Sequence, residues 1–271
     1  MNKKWIVAAS AVTLGVYLSA IAIGMHVRDF TWLDYPQHRQ WTEWQAPRLM
    51  NAPQTPLGES IRYGARLFNE TPLYAPSNAG NRLACTSCHS AGGIQPYASP
   101  MVGLPTIFPT FNQRAGRVIS LQDRIQECFV RSENGKPLSY TSKEMHALMD
   151  YIAWLSEPQP KRAKFKGRGL ASLPPLTPDP QNGAAVYATQ CAGCHGTRGE
   201  GSPLQFPPLW GPQSYNDGAG MDHYPRVVGF VQRNMPRGVD PMHPQLTLQQ
   251  AWDVAAYVIS MPRPHAKASV R

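Results

Sequence analysis

Acidic residues are scarce in this 271-residue chain: 17 Asp and Glu stand against 26 Lys and Arg, a formal charge of +9. Lys3 and Lys4 precede the first apolar stretch, and the rest of the chain carries +7. That balance suits nucleic acid, an anionic membrane surface or small anions. No zinc finger or other nucleic-acid motif is present, so nucleic acid is set aside as a partner. Hydrophobic residues make up 42%, which excludes both a disordered chain and a multi-span membrane protein. Cysteine is rare as well, at five residues. An odd number leaves at least one thiol outside any pairing.

Glycine and proline, by contrast, are abundant at 22 and 27. They suit small helical domains joined by long turns. The length allows two such domains, each with its own core.

Four of the cysteines fall in two Cys-x-x-Cys-His motifs, Cys85–Cys88–His89 and Cys191–Cys194–His195. This is the attachment signal of haem c: two thioethers fix the macrocycle and hold the adjacent histidine under the iron. A zinc site or a redox disulfide fits poorly, because the chain supplies no further partner cysteines. Two covalently bound haem c groups are therefore expected.

The N-terminus agrees with that chemistry. Met1 to Lys4 is a positive start, and Trp5 to Met25 runs 21 residues without a charge. Its length favours a retained membrane anchor over a cleaved signal peptide, although Ala20–Ile21–Ala22 is an acceptable cleavage site. In both cases the bulk of the chain is exported, which places it in the periplasm, and the anchor would hold it on the inner membrane.

The motifs also reveal an internal repeat. Cys85 and Cys191 lie 106 residues apart, as do Thr141 and Thr247, and Tyr151 and Tyr257. Helices are expected over 58–69, 118–131 and 141–156 in the first unit, and over 181–190, 224–234 and the last apolar stretch in the second. Such duplication means two domains rather than one fold. The expected fold class is all-α: two domains resembling class I cytochrome c in tandem, preceded by an N-terminal hydrophobic helix. The expected divisions are 1–25 signal or anchor, 26–57 extension and 58–157 first domain. A proline-rich basic linker (158–180), the second domain (181–263) and a tail (264–271) follow.

The sixth ligand sets each haem's role. In the second unit Met235 lies 40 residues after His195, ahead of the terminal helix. Met242 competes with it, and Met221, His223 and His243 are worse placed. In the first unit the equivalent position is Cys128, 39 residues after His89, with Met101 and Met145 as substitutes. Arg124, Cys128 and Ser132 are spaced by four and share a helix face if the helix reaches that far. Arg114 approaches that side only if the helix starts early, and Arg117 and Arg131 add charge. Arginines favour a thiolate and bind oxyanions, but they also pair with haem propionates.

The run from Arg124 to Leu138, followed by Ser142–Lys143–Glu144–Met145 and Tyr151–Ile152–Ala153–Trp154–Leu155, resembles the dihaem thiosulfate dehydrogenases. The resemblance implies an oxidoreductase that joins two thiosulfates into tetrathionate, with reverse reduction in many members. It implies His89 and Cys128 on the active-site haem, with Arg114, Arg124 and Ser132 binding substrate. It places His195 and Met235 on an electron-transfer haem that serves an external acceptor such as a small cytochrome c. Some members carry a lysine before that methionine; here the residue is Asn234. Two other functions compete. One is a non-catalytic dihaem electron carrier, which calls for methionine or histidine on both haems. The other is a thiosulfate-conjugating subunit of a sulfur-oxidation complex, which needs a carrier protein.

Overall fold

A computed structural model describes residues 46–157, 167–203 and 205–266. The expected hydrophobic helix, most of the N-terminal extension, residues 158–166 of the basic linker and the last five residues lie outside these. Among the described residues, no helix is long and apolar enough to cross a membrane.

The described chain is mostly helical and falls into two halves that repeat one plan. The first half holds α1 (Pro56–Asn69), α2 (Leu121–Arg131) and α3 (Lys143–Ser156), and the second α4 (Pro180–Gln190), α5 (Tyr224–Asn234) and α6 (Leu248–Ser260). The starts of α1 to α4 and of α6 are written in side chains. Thr55, Ser120, Ser142, Asp179 and Thr247 accept hydrogen bonds from first-turn backbone N–H groups, satisfying donors that a helix cannot pair internally.

Each half is built on the crossing of its first and last helix, and a glycine sits at both crossings. A Cβ on Gly64 would lie 2.0 Å from the Ala147 carbonyl oxygen and 2.9 Å from Tyr151 Cβ. A Cβ on Gly183 would lie 2.0 Å from the Asp253 carbonyl oxygen and 3.0 Å from Tyr257 Cβ. The sequence repeat is thus a repeat of backbone contact. Around the first crossing, Ile61, Leu67 and Phe68 bury against Met145, Leu148, Tyr151 and Ile152, with Phe129 of α2 closing the core. Each such side chain contributes about 1.5–3 kcal/mol by leaving water. The second half packs Tyr187, Trp210, Val254 and Val258 in one cluster and Val227, Val228 and Trp252 in another.

The expected helix over 118–131 begins later. A short antiparallel pair, β1 (Thr110–Asn112) and β2 (Arg117–Ile119), takes up Val118, opposite Phe111. Gly116, with φ +64°, turns this hairpin, and the reciprocal Ser120–Asp123 cap then starts α2.

The halves also differ in length before the haem motif. Gly64 precedes Cys85 by 21 residues, whereas Gly183 precedes Cys191 by 8. The extra chain in the first half faces the second. Asn81 Nδ2 donates to the Ser132 and Ser214 carbonyls, both at 2.9 Å, and Arg82 Nη2 to the Glu200 carbonyl at 2.6 Å. From the second half, Asn216 Nδ2 donates to the Val130 carbonyl at 2.9 Å. Leu83, Tyr215 and Ala219 form a small apolar cluster beside these bonds. The described part of the linker is pinned on both sides. Gly167 and Gly169 accept from Tyr97 and Ser99 N–H, and Pro174 accepts from Trp252 Nε1.

Candidate functional site

Both Cys-x-x-Cys-His motifs follow α1 or α4 and open a Pro/Gly loop, and in each the loop returns to hold the histidine. His89 Nδ1 donates to the Ser99 carbonyl at 2.7 Å, and His195 Nδ1 to the Pro207 carbonyl at 2.9 Å. A carbonyl only accepts, so Nδ1 carries the proton and Nε2 keeps its lone pair. Burial lowers both imidazoles, His89 to about 4, with the Arg124 charge also pushing it down. A neutral imidazole fixed through Nδ1 is the form that binds iron. A tyrosine hydroxyl anchors each loop from a different helix: Tyr151 donates to the Gly92 carbonyl and Tyr187 to the Gly196 carbonyl.

The donor set fits haem c. No disulfide pairs any of the five cysteines. Burial raises Cys88 to about 12 and Cys191 to about 11, so these thiols stay protonated. Among the described residues no group of three or more His, Cys, Asp or Glu is arranged around a metal ion, and one histidine per motif is a haem's donor set rather than a zinc site's. Buried donors without a protein partner, including Trp154 Nε1, Arg82 Nε and Arg263 Nη1, suit a group that brings its own carboxylates.

Cys128 lies on α2, half-buried, next in sequence to the fully buried Phe129. Its charge is the largest cause raising the Arg124 guanidinium above its ordinary value. It also contributes to the upward shifts of Cys85, Cys88 and Glu133. Thus Arg124, Cys128 and the first haem motif share one electrostatic neighbourhood. Ser132 caps α2 with helical angles (φ −75°, ψ −41°) and donates its N–H to the Cys128 carbonyl at 2.8 Å, so the four-residue spacing continues to it. Arg114 gets there by another route than an early helix start. It projects from the β1–β2 turn, with Nη2 3.7 Å from Glu127 Oε2 and Nη1 donating to the Gly218 carbonyl at 2.9 Å. Arg117 pairs instead with Asp123 at 3.4 Å, toward the helix start.

Among the methionines, Met101 and Met145 are packed in the first core, and Met221 packs beside two apolar clusters. Met242 is 46% exposed, and the His243 side chain is bound to Asp240 at 2.8 Å. Met235 is half-buried at the end of α5, where its N–H donates to the Val231 carbonyl. Asn234 before it turns away, donating Nδ2 to the Tyr97 and Phe230 carbonyls, each at 3.0 Å.

Two acidic residues escaped the sequence reading. Glu127 touches three arginines through one oxygen. Glu133 is 2% exposed, and burial first, then the Cys128 charge, pushes its carboxyl well above the usual range. Glu127 has a sequence signal, its i−3 and i+4 spacing to Arg124 and Arg131. Glu133 has none.

A family model described as SoxA/TsdA, cytochrome c domain, matches residues 71–160, and one described as Cytochrome c matches 180–262. A thiosulfate dehydrogenase of Allochromatium vinosum is 40% identical over 228 residues, covering 80% of this chain and 83% of that protein. One from Stutzerimonas stutzeri is 32% identical over 274 residues, covering 97% and 87%. The solved thiosulfate dehydrogenase TsdBA of Marichromatium purpuratum, in its "as isolated" form, aligns with a TM-score of 0.76 at 37% identity. That alignment covers 84% of this chain and 51% of the other, so this chain spans about half of that one's length.

Proposed function

Because this chain belongs to the thiosulfate dehydrogenases, dihaem c-type oxidoreductases that act on sulfur compounds, we propose that it joins two thiosulfates into one tetrathionate at Cys128, and can run the reverse reduction. The observation that carries this reading is the placement of Cys128 one helical turn from Arg124 on α2, where its charge raises the guanidinium, beside the first Cys-x-x-Cys-His motif. A pure electron carrier has no use for a thiolate held there.

His89 and Cys128 would hold the first haem's iron, and His195 and Met235 the second. Bound haem c supplies one-electron acceptors, and two of them together match the electron pair released. The protein's own part is nucleophilic. The Cys128 thiolate and the terminal sulfur of one thiosulfate form an S–S bond, giving Cys128–S–S–SO3⁻ and releasing two electrons. A second thiosulfate attacks the sulfane sulfur; the new S–S bond makes tetrathionate, and the Cys128 thiolate leaves. Charge and atoms balance at both steps, and no proton moves. Arg114 and Arg124 supply planar donors to the sulfonate oxygens and offset the repulsion between two dianions, while Ser132 offers a hydroxyl on the same face. An external acceptor, such as a small cytochrome c, is the proposed exit for electrons. The expected residence is the periplasm, with 1–25 as an inner-membrane anchor.

The test is haem reduction by thiosulfate in the wild type, Cys128→Ala and Cys128→Met. Both variants should lose turnover, and a low-spin His/thiolate resonance signal should vanish in each. Unchanged turnover in both variants would overturn the mechanism. Cell fractionation, with the mature N-terminus sequenced, tests the location.

A further inference from the structure

We propose that Glu127 is the positioning residue of the anion site, gathering Arg114, Arg124 and Arg131 onto the Cys128 side of α2 before substrate arrives. This rests on the reading of Cys128 as the reacting thiolate. Glu127 Oε2 lies 3.7 Å from Arg114 Nη2, 3.4 Å from Arg124 Nη1 and 3.2 Å from Arg131 Nη1. The carboxylate side chain is 14% exposed, more shielded than any of the three arginines around it.

Three cations drawn to one oxygen repel one another. Burial lowers Arg114 first, and the charges of Arg131, Arg124 and, from the second half, Arg226 lower it further, with Glu127 acting against them. Without the carboxylate, the long side chains have reason to spread apart. Geometry says the same. Arg124, Glu127, Cys128 and Arg131 stand at i, i+3, i+4 and i+7 on α2, one stripe of the helix. Arg114 is foreign to that stripe and reaches it from the hairpin turn through Glu127, with the Gly218 carbonyl as a second anchor. Glu127 therefore ties a hairpin arginine to a helical pair. The ordering of three flexible side chains is completed in advance, and a dianion meets donors already converged.

The sign of one substitution decides the matter. Glu127→Gln removes a negative charge beside an anion site, so charge alone favours a lower KM for thiosulfate. Positioning requires the opposite: KM should rise about tenfold while kcat stays within about twofold, the pattern of lost uniform binding. Glu127→Asp, which keeps the charge on a shorter arm, should fall between. Thermal stability should stay near wild type in both. A KM that falls or holds in Glu127→Gln overturns the inference. Arg114→Ala and Arg124→Ala run alongside. If they raise KM and Glu127→Gln does not, the positioning role alone is lost; if none raises KM, the anion site itself is misplaced and both readings fall.

Discussion

Asn234 donates its side-chain amide to the Tyr97 carbonyl at 3.0 Å, across the join between the two halves. The contact links two ligand neighbourhoods. Tyr97 is two residues before Ser99, whose carbonyl holds His89, and Asn234 is one residue before Met235. Arg233 adds a second tie, its guanidinium lying 5.4 Å from the centre of the Tyr97 ring. Asn234 is 6% exposed, so Asn234→Leu, which fits the space and cannot donate, removes this donor from the Tyr97 carbonyl. The expected loss is about 1–2 kcal/mol, read by denaturant titration. Hydrogen exchange should quicken at 97–99 as well as around 235; protection lost on one side alone would rule out the link.

Gly64→Ala and Gly183→Ala should each be severe. The new methyl would stand 2.0 Å from a backbone oxygen of the facing helix, and backbone cannot rotate aside. Separating the helices costs about 1–3 kcal/mol or more by overpacking. The loss should appear as a lowered melting temperature for the half that carries the change.

Asp253 sets a pH dependence. It is 1% exposed and accepts from Asp179 N–H at 2.8 Å, Asn182 Nδ2 at 2.6 Å and Gln249 Nε2 at 2.7 Å. Burial alone would raise its carboxyl, but the three donors outweigh it and hold the group below its usual range. A lowered folded value stabilises the fold fully above the unfolded value of about 4, and that contribution fades as pH falls through the folded one. Asp253→Asn should therefore cost about 2 kcal/mol at pH 7 and progressively less below about pH 4. Denaturant titrations at several pH values would show it; a constant gap would argue against the carboxylate's role.

The ligand proposal for the second half divides two methionines. Met235→Ala should abolish the methionine–iron charge-transfer band of the oxidised protein, and Met242→Ala, at a residue 46% exposed, should keep it. The reverse result would assign Met242.

Much of this was legible in the sequence, because haem attachment and helix ends are written in short-range patterns. The 106-residue offset located α3 and α6 together, and Ser142 was readable as a cap. Val118 was misread because the apolar spacing of α2 runs back through it, while the turn at Gly116 ends that pattern before the helix begins. Arg114 could not be placed by helical periodicity, since it arrives from a hairpin. The spacing of Glu127 to Arg124 and Arg131 marks only pairs along one helix, and the third partner, Arg114, lies outside that spacing. The contacts of Asn81, Asn216 and Asn234 left no trace, because their acceptors are largely backbone carbonyls and no residue type marks a carbonyl.

That last feature has an evolutionary side. Across the join, Asn81, Arg82, Arg114, Asn216 and Asn234 donate, and main-chain oxygens of Ser214, Glu200, Gly218, Val130 and Tyr97 receive. Every residue type carries such an oxygen. Where a receiving residue has no second contact, as Tyr97 has with Arg233, and room for a side chain, as Gly218 does not, it is free to drift without disturbing the docking of the halves, while the five donors are not. In a set of diverging descendants, selection at this seam should read as a handful of constant amides and guanidiniums facing a variable opposite bank.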